Sequence, residues 1–361
     1  MNVSNSRTVR LLRKNLLLQF LSDDQWYGTE DHWVLVSRNQ GRTWKKLCKL
    51  EPPESWLQAI RDIVLRSDVV HRFRKNIGIH NLVVLDSGSI IIQYDKVYRF
   101  DYSGRHAVPV YDFHQQGVNG PLKNGLCYDE NTGNLYFGEY IIKRPSSVRI
   151  IRGRDDGRTW EICHCFARGA VRHVHGIYSD PYRSRIWICT GDNDDESGLY
   201  YTDDDFETVH LFGAGDQSWR MVSLLITENS LIWGTDAGQD APAHVRNYIY
   251  HLDLRTGIRK RLCCIDKPAY YSLCLADGSM YIATTYEPGT KRNVTRSADL
   301  WHSIDGWNWE IVQTFPYQLA GRDYGTKYAT LFLPICRGRI TTFCCTPVNV
   351  KSYDFNAIQV E

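Results

Sequence analysis

The chain carries the octapeptide SRNQGRTW at 37–44 and a near copy, GRDDGRTW, at 153–160, each following an alternating apolar run, HWVLV and SVRII. An apolar run of period two that ends in an Asp/Asn-Gly turn reads as one arm of a β-hairpin. A weaker copy, TDDDFETV at 202–209, keeps Asp204 and Thr208, and a shortened one, SIDGWNW at 303–309, keeps Ser303, Asp305, Gly306 and Trp309. Positions 155, 204 and 305 are separated by one and then two periods of about 50 residues. The degenerate stretch HLDLRTGIRK at 251–260 stands where the skipped copy belongs. From Asn39 to Asp155 the interval is about two periods plus about twenty residues, and ESWLQAIRDIVLRSDVVHRF supplies a helix-patterned insertion of that size near 53–73. One period has room for four short strands, and such units repeat into a closed radial array.

The octapeptides resemble the Asp-box, or BNR repeat, of sialidase-like β-propellers, and the chain looks like BNR-repeat proteins associated with bacterial polysaccharide metabolism. The resemblance implies that each box joins the third and fourth strands of a blade and that its Trp packs between blades. Asn39, an amide where the family has its acid, and Asp155, Asp204 and Asp305 would then hold turns and not substrates. The expected fold is all-β, a single β-propeller domain over 1–361 with seven four-stranded antiparallel blades, six being the alternative. Approximate blades are 10–50, 77–116, 117–167, 168–213, 216–265, 266–316 and 324–361.

A chain of 361 residues, 43% hydrophobic, can bury a core of this size. Forty-three Lys and Arg against 41 Asp and Glu give a net charge of +2, which argues against nucleic acid as a partner. No apolar run reaches membrane-spanning length. The basic and apolar N-terminal stretch is interrupted at Gln19 and lacks a small-residue cleavage site, so it reads as mature protein. Eleven cysteines without a C-x-x-C pair read as free, mostly buried thiols, and the expected location is cytoplasmic. A monomer is expected.

In a four-stranded antiparallel blade the turns joining strands one to two and three to four share one face, which the boxes mark. The opposite, front face collects the entries to the innermost strands and the exits of the second strands. The entries supply His80, Lys123, Asn124, Arg172, His173, His175, Trp219, Arg220 and Tyr271. The exits supply Glu139, Tyr140, Asp192, Asp236, Tyr286 and Glu287. A carboxylate directly after an apolar strand, unit after unit, is more than a solvated surface needs. His173 and His175 are two apart on a strand and project together. They suit proton transfer near neutral pH, and with His80 they are candidate ligands for a divalent metal, although no cofactor is required.

The N-terminal Phe/Tyr-Arg-Ile-Pro signature of sialidases is absent, so sialidase activity is not expected. The expected activity is cleavage of glycosidic bonds in an acidic, uronate-type polysaccharide or oligosaccharide, by β-elimination or by hydrolysis. Candidate catalytic residues are His80, His173, His175, Arg220, Tyr271, Tyr286, Glu139, Asp192 and Asp236. Candidate substrate-binding residues are Lys123, Asn124, Arg172, Trp219, Tyr140 and Glu287. The alternative is a non-catalytic propeller that binds a glycan or a protein.

Overall fold

A computed structural model describes residues 7–51, 78–79, 81–142, 146–320 and 326–361. The helical insertion expected near 53–73 and His80 lie outside the described residues. The alternating apolar runs form strands, and among the described residues antiparallel pairing groups them into four-stranded units, the first two joined by a parallel pairing of Lys49 and Leu50 with His106 and Ala107. Six cover 17–50, 81–111, 126–166, 173–214, 225–264 and 269–316. The seventh combines Thr330–Phe332, Phe343–Val348 and Asn356–Val360 with Val9–Lys14 from the other end of the chain. Inner strands of the first four units contact one another in turn, as do those of the fifth to seventh, and Phe343–Val348 packs back against Leu17–Leu21 of the first unit. There the Leu18 amide donates to Thr346 Oγ1 at 3.0 Å, and that hydroxyl donates to the Leu16 carbonyl at 3.0 Å. The molecule is an all-β propeller.

One expected boundary is corrected. Residues 10–50 were assigned to one blade, but Val9–Lys14 lies opposite Asn356–Val360, Val9 facing Val360 and Lys14 facing Asn356. The first unit therefore begins at Leu17. The reason is closure, since pairing the first strand with the last ties both ends of the chain into one unit.

The core lies between units. Leu82, Ile90 and Ile92 of the second unit meet Val34 and Val36 of the first, while Trp187, Cys189 and Leu199 of the fourth meet Leu231, Trp233 and Leu252 of the fifth. Each strand pair thus buries both of its faces, which is why the runs contain so few polar residues. All eleven cysteines are free thiols, and Cys48, Cys127, Cys189, Cys344 and Cys345 are buried. Among the described residues, no helix is long and apolar enough to cross a membrane.

The four octapeptide copies all join third and fourth strands; in the second, Asp155 Oδ2 accepts from the Thr159 hydroxyl at 2.8 Å, and the other three share a hydrogen bond from a backbone amide. Asn39 Oδ1 accepts from the Thr43 amide at 2.9 Å, as Asp204 Oδ1 does from Thr208 at 2.9 Å and Asp305 Oδ1 from Asn308 at 2.8 Å. Trp44, Trp160 and Trp309 donate their indole N–H to the carbonyls of Gly41, Gly157 and Gly306 at 3.0, 3.0 and 3.1 Å. These glycines take φ near +75°, at 76°, 74° and 74°; the third copy has Phe206 in that region at 69°.

Candidate functional site

The box turns fix which ends of the strands lie together. On the opposite face, the innermost strand of the fourth unit begins at His173, and its second strand ends at Gly191, with Asp192 next. His173 pairs directly with Gly191 across the hairpin. A bulge between Val174 and Gly176 lets His175 reach the same point, and a Cβ at position 191 would lie 2.3 Å from its ring. The glycine thus makes room for the imidazole.

Three buried ligand-type groups converge as a result. His173 Nε2 and His175 Nε2 are 3.0 Å apart, and they lie 3.3 and 3.1 Å from Asp192 Oδ1. Each ring is oriented by a backbone carbonyl, His173 Nδ1 on Ile141 O and His175 Nδ1 on Met221 O, both at 3.0 Å. Tyr140 stacks on His173 with centroids 4.1 Å apart. Arg172 pairs with Asp192 Oδ2. From the fifth unit, Arg220 lies 3.3 Å from Asp192 Oδ1, 3.6 Å from Asp236 Oδ2 and 3.1 Å from Asp240 Oδ1. Burial opposes ionisation of Asp192, but its charged and hydrogen-bonding surroundings, Arg220 among them, outweigh burial and hold the carboxyl well below the usual range.

The polar network continues into the sixth and seventh units. Tyr270 donates to Glu287 Oε1, the Gln239 amide donates to Glu287 Oε2, and Gln239 Nε2 donates to the Tyr328 hydroxyl at 2.7 Å. Burial, with the charges of Glu287, Asp192 and Asp240 adding to it, pushes Asp236 well above the usual carboxylate range against the pull of Arg220. Burial and Asp240 raise Glu287 despite its hydrogen bonds from Tyr270 and Gln239. Two carboxyls whose pKa values are raised therefore stand beside one whose pKa is lowered. Arg172 Nε, Arg220 Nε, Asp236 Oδ1 and Gln217 Oε1 are buried without a hydrogen-bond partner around this cluster.

The other expected residues lie elsewhere or are already occupied. Glu139 is fully engaged by Arg149 and Asn119. Its Oε1 accepts from the Asn119 amide and from Arg149 Nη2, both at 2.8 Å, and its Oε2 accepts from Arg149 N and Nε at 2.9 and 2.8 Å. Trp219 stacks on Trp233 at 5.7 Å, and Arg259 lies 4.2 Å over its ring, so it packs between strands and presents no open face to a sugar. Tyr286 turns to Arg296 Nε at 3.1 Å and to Tyr317. Lys123, Asn124 and Tyr271 line a cavity of about 360 Å³ along the axis, together with Tyr178 and Tyr270. In it Lys123 donates to Gln19 Oε1 at 3.0 Å and to Asn124 Oδ1 at 2.6 Å, and burial pushes it down to about 7. His173, His175 and Asp192 are not among the residues lining this cavity, and Tyr270 connects it to Glu287.

Asp240, Gln217 and Gln239 were not expected in the site. Gln217 Nε2 donates to the Asp192 carbonyl and to Asp194 Oδ1, both at 2.9 Å. Asp240 and Gln239 stand on an irregular connection and Gln217 opens a single 3-10 turn, Gln217–Trp219, so no periodicity sets a side-chain direction. The only sequence signal was the excess of acids in DAGQD after the strand LIWG.

No family model matches the chain, and no curated protein matches it in sequence. Among solved structures it is similar to an oligogalacturonate lyase from Vibrio parahaemolyticus, with a TM-score of 0.59 and 9% identity over 99% of this chain and 95% of that one. It is also similar to an oligogalacturonate lyase in complex with manganese, with a TM-score of 0.57 and 10% identity over 99% and 94% of the two chains. A GH74 xyloglucanase from Xanthomonas campestris gives a TM-score of 0.56 and 14% identity over 84% of this chain, which spans 46% of that enzyme's length. At such identities the likeness establishes the β-propeller fold.

Proposed function

We propose that this propeller is a carbohydrate-active enzyme that cleaves glycosidic bonds in an acidic, uronate-type saccharide at the face opposite the octapeptide turns. The observation that carries the reading is the set of buried polar atoms without a hydrogen-bond partner, Arg172 Nε, Arg220 Nε and Asp236 Oδ1, gathered beside two carboxyls whose pKa values are raised. Buried donors and acceptors of this kind are costly unless a ligand completes them. Guanidinium N–H groups suit a carboxylate or a hydroxyl, and a carboxyl with a raised pKa suits protonation of a leaving glycosidic oxygen. Asp236 is the proposed proton donor. Arg172 and Arg220 are proposed to hold the substrate, and Tyr140 and Tyr270 to bound it. Two of the similar structures are lyases named for oligogalacturonate and one is a xyloglucanase, and this agrees with a saccharide substrate. The test is incubation with a panel of uronate-containing saccharides, reading ultraviolet absorbance for an unsaturated product and reducing ends for total cleavage. The chromophore assigns β-elimination, and reducing ends alone assign hydrolysis. Asp236→Asn is expected to lower kcat by at least about 100-fold. Saccharide binding without any product would replace this reading with a non-catalytic binding module.

A further inference from the structure

The two histidines raise a proton-counting problem. His173 Nδ1 and His175 Nδ1 each face a backbone carbonyl, of Ile141 and Met221, at 3.0 Å. A carbonyl can only accept, so each Nδ1 carries the proton of its ring. In the neutral rings both Nε2 atoms then present lone pairs. They face each other at 3.0 Å and face the acceptor Asp192 Oδ1 at 3.3 and 3.1 Å. Three lone pairs converging in a buried place repel unless a cation lies among them. A shared proton bridges only two of these atoms, whereas all three lie within 3.3 Å of one another. The three ligand atoms lie within 4.8 Å of one another. Two donors at about 2.0–2.1 Å from a tetrahedral ion are themselves separated by about 3.3 Å, close to the spacing seen.

We propose that His173 Nε2, His175 Nε2 and Asp192 Oδ1 form a binding site for one divalent first-row transition ion of the zinc or manganese class. Two imidazoles and one carboxylate leave open coordination positions, and the carbonyls behind the rings are the outer partners that fix ligating histidines in the required tautomer. Gly191 belongs to the site, because a side chain there would displace the His175 ring. Asp192 takes the third-ligand position for which His80 was a sequence candidate.

The ion would add positive charge for a substrate carboxylate. To that extent the site deepens the saccharide reading, but its occupancy is measured without any saccharide. The chain is stripped with a chelator and titrated with Zn²⁺ and with Mn²⁺ by calorimetry. One equivalent per chain is expected for at least one of them. His175→Gln and Asp192→Asn are each expected to weaken it by at least 100-fold, while the exposed His106→Ala leaves it unchanged. Gly191→Ala should weaken it by about 10-fold. Co²⁺ bound to the unaltered chain should show the visible absorption of a nitrogen and oxygen ligand set, a readout that needs no variant to fold. Absence of stoichiometric binding, or binding that His175→Gln leaves intact in a folded variant, would overturn the site. Metal binding without saccharide cleavage would retain the site and reject the enzymatic reading; cleavage by a chain that takes up neither ion would do the reverse.

Discussion

Arg220 shows how much of the site is a question of charge balance. Its guanidinium stands against Asp192, Asp236 and Asp240 at 3.3, 3.6 and 3.1 Å, and the residue is only 5% exposed. At an open mouth its removal would leave stability untouched. Buried against three carboxyls, Arg220→Ala leaves them without their cation and is expected to cost about 3–5 kcal/mol, seen as a lower denaturant midpoint. An unchanged midpoint would mean that water and not Arg220 satisfies those acids. Glu287 makes a second prediction of opposite sign. It is surrounded by Tyr270, Tyr328, Asp236, Asp240, Arg220 and Arg292, and its pKa is raised above the ordinary 4.5. A carboxyl raised in the folded state contributes stability that is whole below its unfolded value and is lost as pH rises through the folded one. Glu287→Gln should therefore gain in melting temperature relative to the unaltered chain as pH goes from ~4 to ~8. A difference that stays flat or shrinks over this range would show that Glu287 titrates normally.

At the scale of the strand and turn, the octapeptide links two neighbouring units. Trp160 donates to the Gly157 carbonyl, and its ring lies 6.0 Å from Tyr111 and 5.9 Å from Phe137, in the cluster shared by the second and third units. Trp160→Ala should cost about 3 kcal/mol in chemical unfolding, the lower end for a large ring because this one is half-buried. A loss below about 1 kcal/mol would mean that the ring is dispensable to the junction. Because period two and the turn residues fix which way a strand runs, the sequence placed His173, Asp192, Arg220 and Asp236 at strand ends of one face. It did not show that Glu139 would be spent on Arg149, since that partner comes from the next strand across a long connection and depends on register. Nor did it separate Trp219, a packing residue, from an exposed ring, because both are aromatic residues before a strand. Asp240 and Gln217 were invisible for lack of any periodicity.

For the whole molecule, the decisive feature is that the ring is sealed by strands from opposite ends of the chain. The local pattern of Val9–Lys14 reads as the start of the first unit, and only the distant register with Asn356–Val360 reveals its true place. Local sequence carries no term for a partner at the other terminus, so this part of the fold was not legible. Closure has an energetic consequence that can be measured. Starting the chain at Leu16 removes the strand that covers Asn356–Val360, together with the hydrogen bond from the Glu361 amide to the Thr8 carbonyl at 2.9 Å. It bares Asn356–Val360 as the outermost strand, next to Phe343–Val348, whose Thr346 bonds Leu16 and Leu18. The truncated chain should melt at least ~5 °C lower and should self-associate through the bared edge, which sedimentation velocity would detect. Adding the peptide 7–15 in excess should restore both properties, since the lost contacts are all intermolecularly available to it. If truncation leaves melting and sedimentation as they were, the ring is held by its apolar junctions alone and the terminal pairing is a passenger.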